Sequence, residues 1–173
     1  QLVLTENLEP KMILNQNRKD VKNSTKLTFF SITFNLIVAG IIIIWTFGFK
    51  DLIDIIISLP LNLFVGIFGL FIGGYYISIE MENVIKKRKW NSIMTGIIGL
   101  ISILLIGVLI GSSVGFIEEG IQDFGKENGI KKALFDYYVK PLFWIFLFGI
   151  IPTVIIGGIL GYGIKKNVLQ QRV

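Results

Sequence analysis

From Trp90 to Ile117 the chain reads WNSIMTGIIGLISILLIGVLIGSSVGFI, 28 residues without a charge. The hydrocarbon core of a bilayer takes about 20 apolar residues of helix, each rising about 1.5 Å, so a helix over this stretch is long enough to cross. Thr95, Gly99, Gly107, Gly111 and Gly115 recur within it at multiples of four, with Ile103 the one large residue in the row. On a helix such a row forms a groove almost free of side chains. Rows of this small-xxx-small kind let a second helix approach closely, and close packing is what holds helices together in lipid.

Three more stretches share this character. Leu27 to Phe49 is uncharged, with Asn35 its most polar interior residue. Pro60 opens a second span to about Ile79, with Gly66, Gly69, Gly73 and Gly74, of which Gly69 and Gly73 form another pair four apart. Pro141 opens the last, to about Ile164, where Gly149, Thr153, Gly157 and Gly161 make a second row and Pro152 is expected to bend the helix. The sequence therefore predicts an all-α, polytopic integral membrane protein with four transmembrane helices, over about 27–49, 60–79, 93–117 and 141–164. One domain, 27–166, lies between polar tails 1–26 and 167–173, the first with a short helix around Met12. Composition agrees: 17% of residues are charged, against about 25% in soluble domains, and mean hydropathy is +0.71.

Two connections are read as short amphipathic helices at the membrane interface. Asp51, Asp54 and Ser58 share a face ahead of Pro60. In the connection from Glu118 to Lys140, after the Asn128-Gly129 turn, Ile130, Ala133, Leu134 and Tyr137 repeat at helical spacing opposite Lys131, Lys132 and Asp136. Residues Glu80 to Lys89 are read as a hydrophilic loop.

Charge placement orients the bundle. The front tail, the second loop and the C-terminal tail carry twelve of the 17 Lys and Arg residues. The richer side faces the cytoplasm, so both termini are expected there, in a plasma membrane. Trp45, Trp144, Tyr137 and Tyr138 fall at the outer interface of that topology, and Trp90, Tyr75, Tyr76 and Tyr162 at the inner. On this orientation the Asn23-Ser24-Thr25 glycosylation pattern is a chance match. The net charge of +5 is thus a topology signal, and nucleic acid is not an expected partner. The same basic residues of the second loop suit anionic lipid. The chain opens on Gln1, and Met12 stands where a native start could fall, which would make residues 1–11 upstream sequence; the sequence leaves both starts open.

Chemistry is sparse. Without Cys or His there are no disulfides, no thiolate or imidazole metal ligands and no cysteine or histidine catalysts, so no cofactor or metal is expected. Glu118-Glu119 resembles the double glutamate of intramembrane CAAX-type proteases but lacks that family's following Arg and its buried His residues. An enzyme is therefore not expected. Proton- and sodium-driven carriers use intramembrane carboxylates; here Asp54 is the nearest candidate and is read as interfacial. Asn35, Asp54, Asn62 and Ser102, with Ser112 and Ser113, are the residues available to a polar path, their alternative role being hydrogen bonds between helices. The helix-packing candidates are Gly69, Gly73, Gly99, Gly107, Gly111, Gly115, Gly149, Gly157 and Gly161. Small-residue rows on three spans look like more than one bundle needs, which predicts a second membrane subunit or self-association. The sequence reading is a non-enzymatic subunit or accessory protein of a membrane complex, a transporter partner or immunity-type protein. The alternative is a small homo-oligomeric channel or carrier.

Overall fold

A computed structural model describes residues 8–58, 60–118 and 129–170, with side chains described from Lys22 onward except those of Ile55 and Pro60. All of the regular structure among these residues is helical. Helix α1 is Leu8–Phe47, α2 Phe49–Ser58, α3 Pro60–Lys87, α4 Ser92–Glu118, α5 Gly129–Leu134 and α6 Lys140–Gln170, with a π-helical turn, Phe135–Val139, joining α5 to α6. Four helical stretches are long and apolar enough to cross a membrane: Lys22–Phe47, Leu61–Lys87, Ser92–Glu118 and Gly129–Gln170. The chain is an all-α polytopic membrane protein.

Helix boundaries have local causes. Gly48, at φ 100°, closes α1 in a left-handed conformation that costs glycine little, and its N–H donates to the Ile44 carbonyl at 2.9 Å. Pro60 stands in the first turn of α3, where its missing N–H forfeits no bond. After α3 the chain turns at Lys89, which takes φ 52° without being glycine. Asn91 then caps α4, its Oδ1 accepting from the Ile93 N–H at 3.0 Å and its carbonyl from the Thr95 N–H at 2.9 Å.

Three boundaries differ from the sequence reading. The front segment is not a tail with an isolated helix, because α1 is helical from Leu8 straight into the first span. The segment from Glu80 to Lys87 is not a loop: Met81, Val84 and Ile85 continue the apolar spacing of α3, which ends only at Lys87. The segment from Gly129 to Val139 runs into α6 without a break instead of forming a separate helix. Pro141 explains the π turn. It has no N–H for the carbonyl four residues back and its ring crowds that carbonyl, and the wider turn, with Lys140 N–H on Phe135 O, relieves both.

In cross-section the spanning helices follow the order α1, α3, α4, α6 around the bundle, with α4 packed most extensively, on α3 and α6, and α1 the most loosely held. The core is Ile32, Leu70, Met81, Ile85, Leu100, Ile103, Ile156, Leu160, Ile164 and Val168. Many more large apolar side chains face outward, among them Phe30, Ile41, Phe64, Ile98, Ile151 and Trp45, the last 90% exposed. A water-soluble protein does not carry so continuous an apolar surface, but a lipid-facing one does.

Candidate functional site

Among the described residues the distinctive geometry lies in the contacts between spans. Two glycine seams run along α4. Toward its C-terminal half it meets α3. A Cβ placed on Gly66 would lie 3.3 Å from the Gly107 carbonyl oxygen and 3.5 Å from Gly111 Cα, and one on Gly111 would lie 2.9 Å from the Asn62 carbonyl oxygen. Toward its N-terminal end α4 meets α6. A Cβ on Gly96 would collide with the Gly157 carbonyl and lie 2.6 Å from Gly161 Cα, and one on Gly161 would collide with the Ser92 carbonyl. Here backbone touches backbone, which side chains larger than hydrogen forbid.

The other packing candidates distribute around these seams. Gly69 and Gly73 take the Ile110 and Ile106 side chains of α4, which a Cβ at either position would approach to 2.9 and 3.2 Å. Gly99 takes Met81 and Gly107 takes Leu70, both of α3. A Cβ on Gly115 would lie 2.7 Å from the Asn62 amide nitrogen and 3.0 Å from the Tyr137 ring, so the π turn packs onto the end of α4. A Cβ on Gly157 would lie 2.8 Å from Ile97 Cα. Gly149 differs: a Cβ there would lie 3.7 Å from Leu104 across the gap, an ordinary contact, because α4 and α6 have diverged by that level. Gly66 and Gly96 were not among the sequence's packing candidates. Gly96 carried a usable signal, its own four-residue pair with Ser92.

Polar side chains of the spans fasten helices to one another. Asn35 Nδ2 donates to Thr153 Oγ1 at 2.8 Å, joining α1 to α6, and Thr153 is fully buried. The Thr25 and Ser78 hydroxyls, 2.9 Å apart, join α1 to α3. Ser113 donates to the Leu109 carbonyl and shares a 3.1 Å hydrogen bond with the Tyr138 hydroxyl. Ser102 donates to Ile98 of its own helix on an exposed side. Asp54 is exposed on α2. The Asn62 Oδ1 is buried between α3 and α4 and has no hydrogen-bond partner. Asn35, Asp54, Asn62 and Ser102 therefore sit in four separate surroundings, and the structure does not bring them together along one path.

Glu82 is where the structure departs furthest from the sequence reading. Assigned to a solvated loop, it is instead 3% exposed on α3, one turn beyond Ser78. Its Oε1 pairs with Lys86 Nζ at 2.7 Å, and its Oε2 is buried without a hydrogen bond. The clue was the helical continuation through Met81 and Ile85. Among the described residues no three of His, Cys, Asp and Glu come together in a way that could hold a metal ion.

Fold and contacts together define a helical multi-pass membrane protein whose interior is built of glycine seams and hydrogen-bonded fasteners. No protein-family model, curated protein or solved structure matches the chain.

Proposed function

We propose that this chain is a non-enzymatic subunit or accessory protein of a membrane complex. It would sit in the plasma membrane with both termini in the cytoplasm, the orientation its Lys and Arg distribution favours. One observation carries the reading: the path candidates are scattered, with Asn35 tied to Thr153 and Ser102 bonded to its own helix. A body fastened internally in this way acts by presenting surfaces to neighbours.

The glycine rows on α3, α4 and α6 meet one another inside the chain, so they are not surplus docking grooves. What supports a partner is the apolar wall of α1, with Phe30, Phe34, Ile37, Ile41 and Trp45 exposed on a loosely held helix. Purification from native membranes in mild detergent tests this. The expected result is a discrete complex containing a second polypeptide; a lone monomer overturns it.

A second reading, a self-assembled channel or carrier for an ion, is favoured by one specific observation, the buried carboxylate of Glu82. It predicts ion flux into liposomes containing this chain alone, reduced by Glu82→Gln. Silent liposomes remove it.

A further inference from the structure

Near the bundle end that carries the start of the first span, α1 and α3 meet through the Thr25 and Ser78 hydroxyls, with further buried polar side chains on both helices close by. Ser24 and Thr28 sit one turn apart on α1, and Ser78 and Glu82 one turn apart on α3; all four are 3% exposed or less. The 2.9 Å Thr25–Ser78 contact fixes the register. Gly74, one turn before Ser78, meets Phe29 and Ile32, one to two turns beyond Thr25, so the helices are antiparallel and Glu82 lies further toward the start of α1.

The hydroxyl protons are turned into backbone. Thr28 Oγ1 donates to the Ser24 carbonyl at 2.9 Å and Ser78 Oγ to the Tyr75 carbonyl at 2.7 Å. What these side chains have left to offer is oxygen lone pairs. Glu82 adds a carboxylate whose Oε1 is held by Lys86, while Oε2 is buried and receives no hydrogen bond. An acceptor stripped of water with nothing in exchange costs about 1–3 kcal/mol, more when charged, so such an oxygen calls for a donor or a cation. A free carboxylate oxygen beside a hydroxyl oxygen suits a hard cation, with the Lys86 ammonium engaged on the other carboxylate oxygen. A single carboxylate, with no cluster of acids among the described residues, suits a monovalent rather than a divalent ion.

We propose that Glu82 Oε2, with the hydroxyl oxygen of Ser78 one turn before it, binds a monovalent alkali cation between α1 and α3. The site does not depend on the chain being a subunit, and it deepens the carrier reading by naming the ion class. Sodium is the probe. The full chain in detergent is melted in sodium chloride and in choline chloride at equal ionic strength, followed by circular dichroism. Sodium is expected to raise Tm by about 3–6 °C in a saturable way, the size produced by ligand at about ten times its Kd. Glu82→Gln abolishes the rise. Asp136→Asn, at an exposed ion pair with Lys140, keeps it. Equal Tm in the two salts for the unaltered chain overturns the proposal, as does an undiminished sodium effect in Glu82→Gln. Should Glu82→Gln not fold, Ser78→Ala keeps the carboxylate and is expected to raise the half-saturating sodium concentration several-fold; an unmoved midpoint overturns the site. Sodium stabilisation together with silent liposomes supports the site and removes only the carrier reading.

Discussion

Gly96 and Gly149 look alike in the sequence, each an uncharged small residue within a span, yet their surroundings separate them. A methyl group at Gly96 would press into the Gly157 and Gly161 backbone, which cannot yield without moving α6. At Gly149 the nearest atoms are at 3.5 and 3.7 Å, and a methyl group has room. Gly96→Ala is therefore expected to destabilise the bundle by about 1–3 kcal/mol, the usual cost of overpacking. Gly149→Ala is expected to be neutral or slightly stabilising, since alanine favours helix. Thermal unfolding in one detergent compares them, and equal effects would show that α4 and α6 are not in contact where Gly96 lies. Asn35 offers a second test. Asn35→Leu removes the donor to Thr153 and should cost about 0.6–1.7 kcal/mol, the range for hydrogen bonds between membrane helices. In a double-mutant cycle Asn35→Leu and Thr153→Val should be non-additive, because each removes the same bond; strict additivity would place the two apart.

At the scale of elements, much was legible. Uncharged runs, prolines at the starts of spans and the amphipathic face of residues 51–58 mark α2, α3, α4 and α6 in the sequence, because lipid imposes length and apolarity on any spanning helix. Helix ends outside the hydrocarbon were harder to read. Charge alone made Glu80 to Lys87 look like a loop, but a helix may carry charges where it leaves the lipid, and the periodicity of Met81, Val84 and Ile85 outweighed them. The glycine rows marked which helices could approach closely without saying which would pair. A row at steps of four follows an inclined ridge of the helix, and its partner is decided by the crossing of the whole bundle. Gly96, one residue off the Thr95 register, meets a different helix from Gly111. The Asn91 cap gives this scale its test. Asn91→Ala removes the acceptor for the Ile93 N–H and should cost about 1 kcal/mol of stability, measured by thermal unfolding; no loss would mean that α4 does not start there.

For the whole molecule, the polar residues admitted to the spans bind helix to helix, and the apolar ones divide between a narrow core and a broad lipid-facing wall. This explains why Asn35 and Ser102, which composition alone could place in one channel, lie on unconnected faces. The chain has no cysteine, so introduced pairs report without background. The most direct measurement is disulfide cross-linking in intact membranes under mild oxidation, read as a reducible shift in gel mobility. Cysteines at Thr25 and Ser78, and at Asn35 and Thr153, are expected to join, whereas cysteines at Asn35 and Ser102 are expected to stay apart. Efficient joining of Asn35 to Ser102, with neither of the other pairs forming, would contradict the arrangement of the bundle and restore a shared polar path.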